Sequence, residues 1–323
     1  MFRHYLQTAF RNLRKYKGYT LINVLGLAVG MACTLLIFLY VQDELSYDRY
    51  HENADRIYRM VVNKTFSGKT TQSAATGAPF GPFFQEGFPE VEQYVRFRQT
   101  DKVLISNQEK RFFEERFFYA DASLLDVFSF RLLDGNPETA LQAPYSILIT
   151  EAMREKYFGA ENPLGKTLTI RDREYTVTGV LENIPQNSHF RFDLVASFAT
   201  LQDIEPRALN HPGNMWYHTY FLLAPGTDAA ALERKIPDYI EQNFGAHVRK
   251  VTTVLFQPLT SIHLHSHRVG EIEANSSITT VYVFSAIAIF ILLIACINFM
   301  NLATARSISR AKEVGVRKVL GAY

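Results

Sequence analysis

Three histidines at alternate positions, His263, His265 and His267 in the run HLHSH, are the densest set of metal-capable side chains in the sequence. On an extended strand, alternate residues share one face, and three imidazoles placed that way could ligate zinc or copper. No acid or cysteine within the run completes the set, so polar surface or a pH-sensitive contact is the expected role. The segment GAENPLGKT, residues 159–167, approaches the spacing of a phosphate-binding loop but has five residues between its glycines instead of four. It also follows a helical pattern and precedes a strand, the reverse of a phosphate cradle at a helix start, and reads as a turn. There is no GxSxG elbow, and the two cysteines, Cys33 and Cys296, both lie in apolar runs. The carboxylates Asp43, Glu44, Asp48, Glu114 and Glu115 have the pattern of a solvated acidic face. No catalytic residue, metal ligand or cofactor is assigned, and the chain is read as not itself catalytic.

The elements that organise the chain are two uncharged apolar runs, residues 19–41 and 281–303. At about 1.5 Å per residue each can cross the roughly 30 Å hydrocarbon core of a bilayer. The first is too long for a secretory leader and ends in LYVQDEL, which offers no small-residue cleavage site. Charge is segregated around the runs. Five basic residues and no acid precede Tyr19; Arg306, Arg310, Lys312, Arg317 and Lys318 follow Ala303, with Glu313 the one acid. The middle carries 31 acidic against 24 basic residues. Basic ends stay in the cytoplasm, so the acidic middle is expected outside it, where nucleic-acid binding is not expected.

This gives five segments: an interfacial amphipathic helix over residues 1–18, transmembrane helices over 19–41 and 278–303, an extracytoplasmic domain over 42–277, and a cytoplasmic segment over 304–323. The first has apolar residues on one arc and Arg3, Arg11, Arg14 and Lys15 on the other, the pattern of a helix lying on membrane lipid. Within the spans, Gly26 and Gly30 form a GxxxG, and Asn298 and Asn301 are amides suited to hydrogen-bonding neighbouring helices; all four are read as packing residues. In the tail, a helix would align Arg306, Arg310, Glu313 and Arg317 in one stripe and Ile308, Ala311, Gly315 and Val319 in the opposite one. A topological flank needs only charge; the added apolar stripe suits docking on a partner protein.

The middle reads as mixed α/β. Helical patterns fall at residues 42–50, 79–87, 122–128, 151–158 and 228–244. Strand patterns fall at 56–66, 69–74, 91–99, 110–118, 146–150, 167–170, 175–181, 190–198, 216–223 and 251–257. The flanks, about 42–99 and 187–277, each hold a β-α-β element and are expected to pair into one layer, with 100–186 as an inserted subdomain.

Several stretches carry a family resemblance. CINFMNLATARSISRAKEVGVRKVLGA closely resembles the end of the second membrane helix in MacB/FtsX-type ABC transporter permeases. FRNLRKYKGYTLINVLGLAVGMACTLLIFLYVQDELSYDRYHENADRIYR looks like their N-terminal start, especially in the large Bacteroidetes-type permeases. DASLLDVFSFRLLDGNPETAL, ILITEAMREKYFG, NPLGKTLTI and REYTVTGVLENIPQNSHFRFD are similar to their extracytoplasmic domain. The resemblance implies a bacterial inner-membrane protein of several spans, whose periplasmic domain has a porter-like part and a small α/β insert. It also implies a cytoplasmic ABC ATPase as partner, a dimeric permease, and a periplasmic adaptor or outer-membrane partner. The implied mechanism is mechanotransmission, with the ATPase pressing on the segment holding Arg306, Arg310, Glu313, Gly315, Arg317 and Lys318. The cargo would be a drug, a peptide or a lipoprotein. Further membrane helices are expected after Tyr323, the chain being a portion of a longer permease. Two alternatives stand beside this reading: an FtsX-like regulator of cell-wall hydrolases, and a two-span sensory receptor, whose tail would carry heptads that this one lacks.

Overall fold

A computed structural model describes residues 17–66, 68–108 and 110–321. The expected amphipathic helix lies almost wholly outside the described residues. Two compact units form, one from the long helices and one from residues 46–276.

The helical unit consists of α1, Lys17–Ser46, and the 42-residue α10, Ile278–Val319. Their stretches Thr20–Ser46 and Ile278–Asn301 are long and apolar enough to cross a bilayer, and only 6% and 17% of their most apolar windows are buried. A soluble core helix would be mostly covered; here Ile22, Leu36, Phe290 and Ile294 stand outward, as lipid-facing side chains do. The second helix continues past Asn301 to Val319 without a break, so span and basic tail are one helix.

The globular unit is built on a 13-stranded mixed sheet. Its first half is the antiparallel run β13 (Thr252–Pro258), β1 (Ile57–Phe66), β12 (His218–Leu223) and β3 (Val91–Gln99), with β2 (Lys69–Ser73) hairpinned onto β1. All six residues of β12 are buried because both faces are covered. Phe221 and Leu223 meet α2 (Phe80–Gly87) and α7 (Ala229–Phe244) on one side, while Tyr220 and Leu222 join Phe97, Phe128 and Phe190 on the other. β1, β3, β12 and β13, drawn from the two ends of the unit's sequence, therefore lie side by side.

The second half continues through β6 (Phe117–Ala120), β11 (Leu194–Ser197), β8 (Ser146–Thr150), β10 (Arg173–Leu181), β9 (Thr167–Ile170), β4 (Val103–Asn107) and β5 (Lys110–Glu114). β7 (Leu132–Gly135) pairs the end of β10, and α4 (Glu151–Phe158) packs below β8. Two sequence readings are corrected here. Residues 110–118 are not one strand: Glu114 ends β5, and after Glu115 and Arg116 the chain re-enters the sheet elsewhere as β6. The expected strand over 190–198 shrinks to β11, which pairs parallel to β6 and antiparallel to β8 in the second half of the sheet instead of lying beside β12. Its four residues are buried on both faces, so alternation could not assign its partner. At the far end of the sheet, β5 exposes Phe113 at 62% and Phe112 at 40%, beside Lys110 and Arg111.

Burial also fixes protonation. His51 sits among Tyr50, Phe128 and Phe130, accepts the Ser129 N–H at 3.1 Å through Nδ1, and is lowered to about 4 by burial, with the Asp48 charge opposing and His189 adding to the shift. His218 donates from Nε2 to the Gly270 carbonyl at 2.7 Å and is lowered to about 4, again chiefly by burial. Both histidines fold neutral, so between pH 6.5 and 4 the unfolded chain binds more protons than the folded one. Denaturant unfolding of the detergent-solubilised chain should show full stability above pH 6.5 and a progressive loss toward pH 4. Each histidine contributes on the order of 3 kcal/mol to that loss; a stability unchanged from pH 7 to 4 overturns it.

Candidate functional site

Helix α1 ends at Ser46, and the chain must then turn into the globule. It does so through Asp48, whose φ of 60° lies in the left-handed region that Asp tolerates better than most residues. The Asp48 N–H donates to the Asn187 carbonyl at 2.9 Å, and the Asn187 amide donates to Oγ of Ser46 at 3.0 Å. Its carboxylate is wholly buried, accepts the His189 N–H at 3.1 Å, and has Nδ1 of His189 at 2.9 Å, close but off the angle of a formed hydrogen bond. Tyr47 stacks on His263 with ring centroids 3.3 Å apart.

A second network holds the chain just before α10. On β1, Ile57, Arg59 and Val61 share the face that looks away from α2 and α7, and Arg59 is fully buried there. Its guanidinium forks onto Glu271, with Nη1 to Oε2 at 2.5 Å and Nη2 to Oε1 at 3.1 Å, and donates also to Gln257 and Ser266 at 2.8 Å each. Burial pushes the Glu271 carboxyl up, but the hydrogen bonds and charge of Arg59, with Ser266 and the Arg268 N–H, outweigh it and hold the group below its ordinary value. Asn275, three residues before α10, donates to the Ser266 carbonyl at 3.0 Å.

The networks meet on β12. Tyr220 pairs with Arg59 in register, and its hydroxyl is 2.7 Å from Nε2 of His189. A buried polar path therefore runs from Asp48 through His189, Tyr220 and Arg59 to Glu271. A second tie runs beside it: Arg191 holds Glu273 at 3.1 Å through both its N–H and Nη2, so residues 187–191 grip the exits toward both long helices. In low dielectric such a path resists partial opening, because freeing one partner leaves another charged and unpaired.

The residues singled out in the sequence lie elsewhere. A Cβ on Gly30 would stand 2.9 Å from Cβ of Ala295, and one on Gly26 would stand 3.3 Å from Nδ2 of Asn298, so both glycines face α10. Asn301 is exposed instead. Gly315, Arg317 and Lys318 lie exposed on the last turns of α10, with Ile308, Val316 and Val319 uncovered around them. The side chains of Arg306, Arg310 and Glu313 lie outside the described residues. The three histidines of HLHSH do not share a strand face: Ile262–His265 is a helical turn, His263 is buried, and His265 and His267 are exposed. Sequence reading missed Arg59, Arg191, Glu271 and Glu273 and noted Asp48 only as surface charge. The available signal was Arg59 between Ile57 and Val61 on the inward face of an apolar strand.

The chain thus places an α/β globule between two helices long and apolar enough to cross a membrane, with the globule's two exits bound by one buried network. The family model of the MacB-like periplasmic core domain matches residues 20–239, and the chain belongs to that family of ABC transporter permeases. Macrolide export ATP-binding/permease protein MacB of Neisseria meningitidis serogroup A is 24% identical over 207 residues, covering 63% of this chain and 29% of that protein. MacB of Aggregatibacter actinomycetemcomitans is 25% identical over 193 residues, 56% of this chain and 26% of its own. The chain thus spans less than a third of the length of these curated relatives. A crystallised domain of a Porphyromonas gingivalis protein described as a permease shares the fold, with a TM-score of 0.56 and 22% identity over 64% of this chain and 92% of that one.

Arg59→Met should cost about 3–5 kcal/mol in denaturant unfolding because it strands a buried carboxylate. The double variant Arg59→Met/Glu271→Gln should recover part of that; strictly additive losses overturn the pairing. In the helices, Gly30→Val should lower stability in detergent by about 1–3 kcal/mol. Gly18→Ala, where nothing lies within 4 Å, should be neutral or slightly stabilising, and equal effects at the two sites overturn the contact.

Proposed function

We propose that this chain is a permease subunit, or part of one, that turns cytoplasmic ATP hydrolysis into movement of its periplasmic domain, driving export of a drug, peptide or lipoprotein without passing it between these helices. The carrying observation is continuity: α10 is a single helix of 42 residues, about 63 Å at 1.5 Å per residue, of which a bilayer core needs about half. Its exposed last turns combine Arg317 and Lys318 with Val316 and Val319, a surface suited to a protein partner, here an ABC ATPase. At its other end the chain runs through Asn275, Glu273 and Glu271 into the buried network. A push on the tail would reach the domain along a helix and enter it at residues that cannot shift singly.

In this reading both basic ends are cytoplasmic, residues 46–276 are periplasmic, and Arg306, Arg310, Glu313, Gly315, Arg317 and Lys318 form the coupling segment. Gly26 and Gly30 let α1 and Asn298 of α10 approach closely, and Asn301 serves a further helix or the second permease of a dimer. A periplasmic adaptor or outer-membrane partner would receive the movement outside.

Arg317→Glu/Lys318→Glu in the complete permease, reconstituted with its ATPase in liposomes, should leave membrane insertion intact and reduce ATP-driven transport by about tenfold or more relative to ATP hydrolysis. An unchanged ratio of transport to hydrolysis overturns the coupling role.

A further inference from the structure

A cavity of about 160 Å³ opens between the ends of β6, β9 and β10. Its floor is aromatic: Phe117, Tyr119 and Tyr175, the last two 7% and 1% exposed, with their hydroxyls 2.9 Å apart. Ile170 and Ile204 add apolar walls. Arg171 and Arg173 stand at its rim, exposed, and neither is ion-paired with an acid among the described residues. Asp172 and Glu174 neighbour the two arginines along the chain but form no ion pair with them, and Glu205, whose charge also reaches Tyr119, already holds Arg98 at 3.4 Å and accepts from the Tyr217 hydroxyl at 3.2 Å. Burial holds the Tyr119 hydroxyl above its ordinary value, opposed by its hydrogen bond with Tyr175 and by the charges of Arg171 and Arg173.

The turn that sets the rim is itself costly. Ile170 pairs with Arg173, leaving a two-residue hairpin loop of Arg171 and Asp172, both left-handed with φ of 48° and 64°. Such loops favour Asn-Gly; an arginine there gives up roughly 1–2 kcal/mol of backbone preference while placing its charge over the cavity mouth.

We propose that this cavity binds a small amphipathic carboxylate, with its anionic group held by Arg171 and Arg173 and an aromatic or branched apolar body seated on Phe117, Tyr119 and Tyr175. Paired guanidiniums match a carboxylate through parallel N–H donors, and an aromatic floor without a buried charge rejects a fully hydrated ion. The volume equals about five waters at roughly 30 Å³ each, which suits a body of one ring or one branched side chain. The carboxylate belongs either to a free acid or to the C-terminus of a peptide, and the site does not depend on the transport reading.

Phenylacetate titrated into the detergent-solubilised full chain, followed by calorimetry or saturation-transfer NMR, should bind saturably with a Kd of about 1 mM or tighter. Phenylacetamide, lacking the charge, and inorganic phosphate, lacking the apolar body, should each bind at least about tenfold more weakly. Arg171→Gln/Arg173→Gln should weaken phenylacetate by about tenfold or more without altering the circular dichroism, and Tyr175→Phe should retain most of the affinity. A dipeptide ending in phenylalanine that binds as a free acid and not as its amide assigns the peptide source, whereas binding of phenylacetate alone assigns the free acid. The proposal is overturned by absence of saturable phenylacetate binding, by equal binding of phenylacetamide, or by unchanged affinity in the double arginine variant.

Discussion

The buried fork between Arg59 and Glu271 is the constraint on which the globular unit depends. A guanidinium taken wholly out of water is tolerable only with its charge paired, and Glu271 does this, with Gln257 and Ser266 accepting from the same terminal nitrogens. The requirement fixes β1, β13 and the segment before α10 at once. Because Tyr220 lies opposite Arg59 on β12 and touches His189, the same requirement reaches Asp48 and the segment after α1. The two places where the chain leaves the globule are distant in sequence, yet one set of hydrogen bonds holds both.

How much of this was legible follows from which signals survive folding. The spans were plain because lipid demands charge-free runs, and residues 19–41 and 281–303 satisfy that without any tertiary information. Val91–Gln99 falls where alternation puts it, and Ser146–Thr150 where a short apolar run does. The errors came where local pattern and tertiary role part. Leu194–Ser197 is buried throughout and carries no sign of its neighbours. Glu114 marks a break inside 110–118 because its carboxylate is drawn in by Tyr157 and Lys156, contacts more than forty residues away. HLHSH follows Pro258, where β13 stops, and Leu259–Ser261 is already helical, so the strand spacing had nothing to act on. The network at the exits was the least legible part, since an arginine in a strand looks like surface until the sheet closes over it.

Family membership rests on the globule and the first helix, and the structure adds how the two ends are made. Gly30 leaves room for Ala295, so α1 and α10 can pack closely at that level. The basic tail prolongs α10 instead of forming a separate element. In the proposed mechanism that prolongation is the lever, and the glycine contact is where the two levers are kept together.

The last strand of the sheet carries a different lesson. β5 ends the series with two exposed phenylalanines and an outer edge that pairs with no further strand among the described residues. Flat apolar borders of this kind invite another molecule to extend the sheet. Lys110 and Arg111 stand on that border, and in a second copy they would meet themselves as like charges. Lys110 and Arg111 thus work against edge-to-edge pairing of two copies of this unit, so a border that binds no partner is still a place where charge matters.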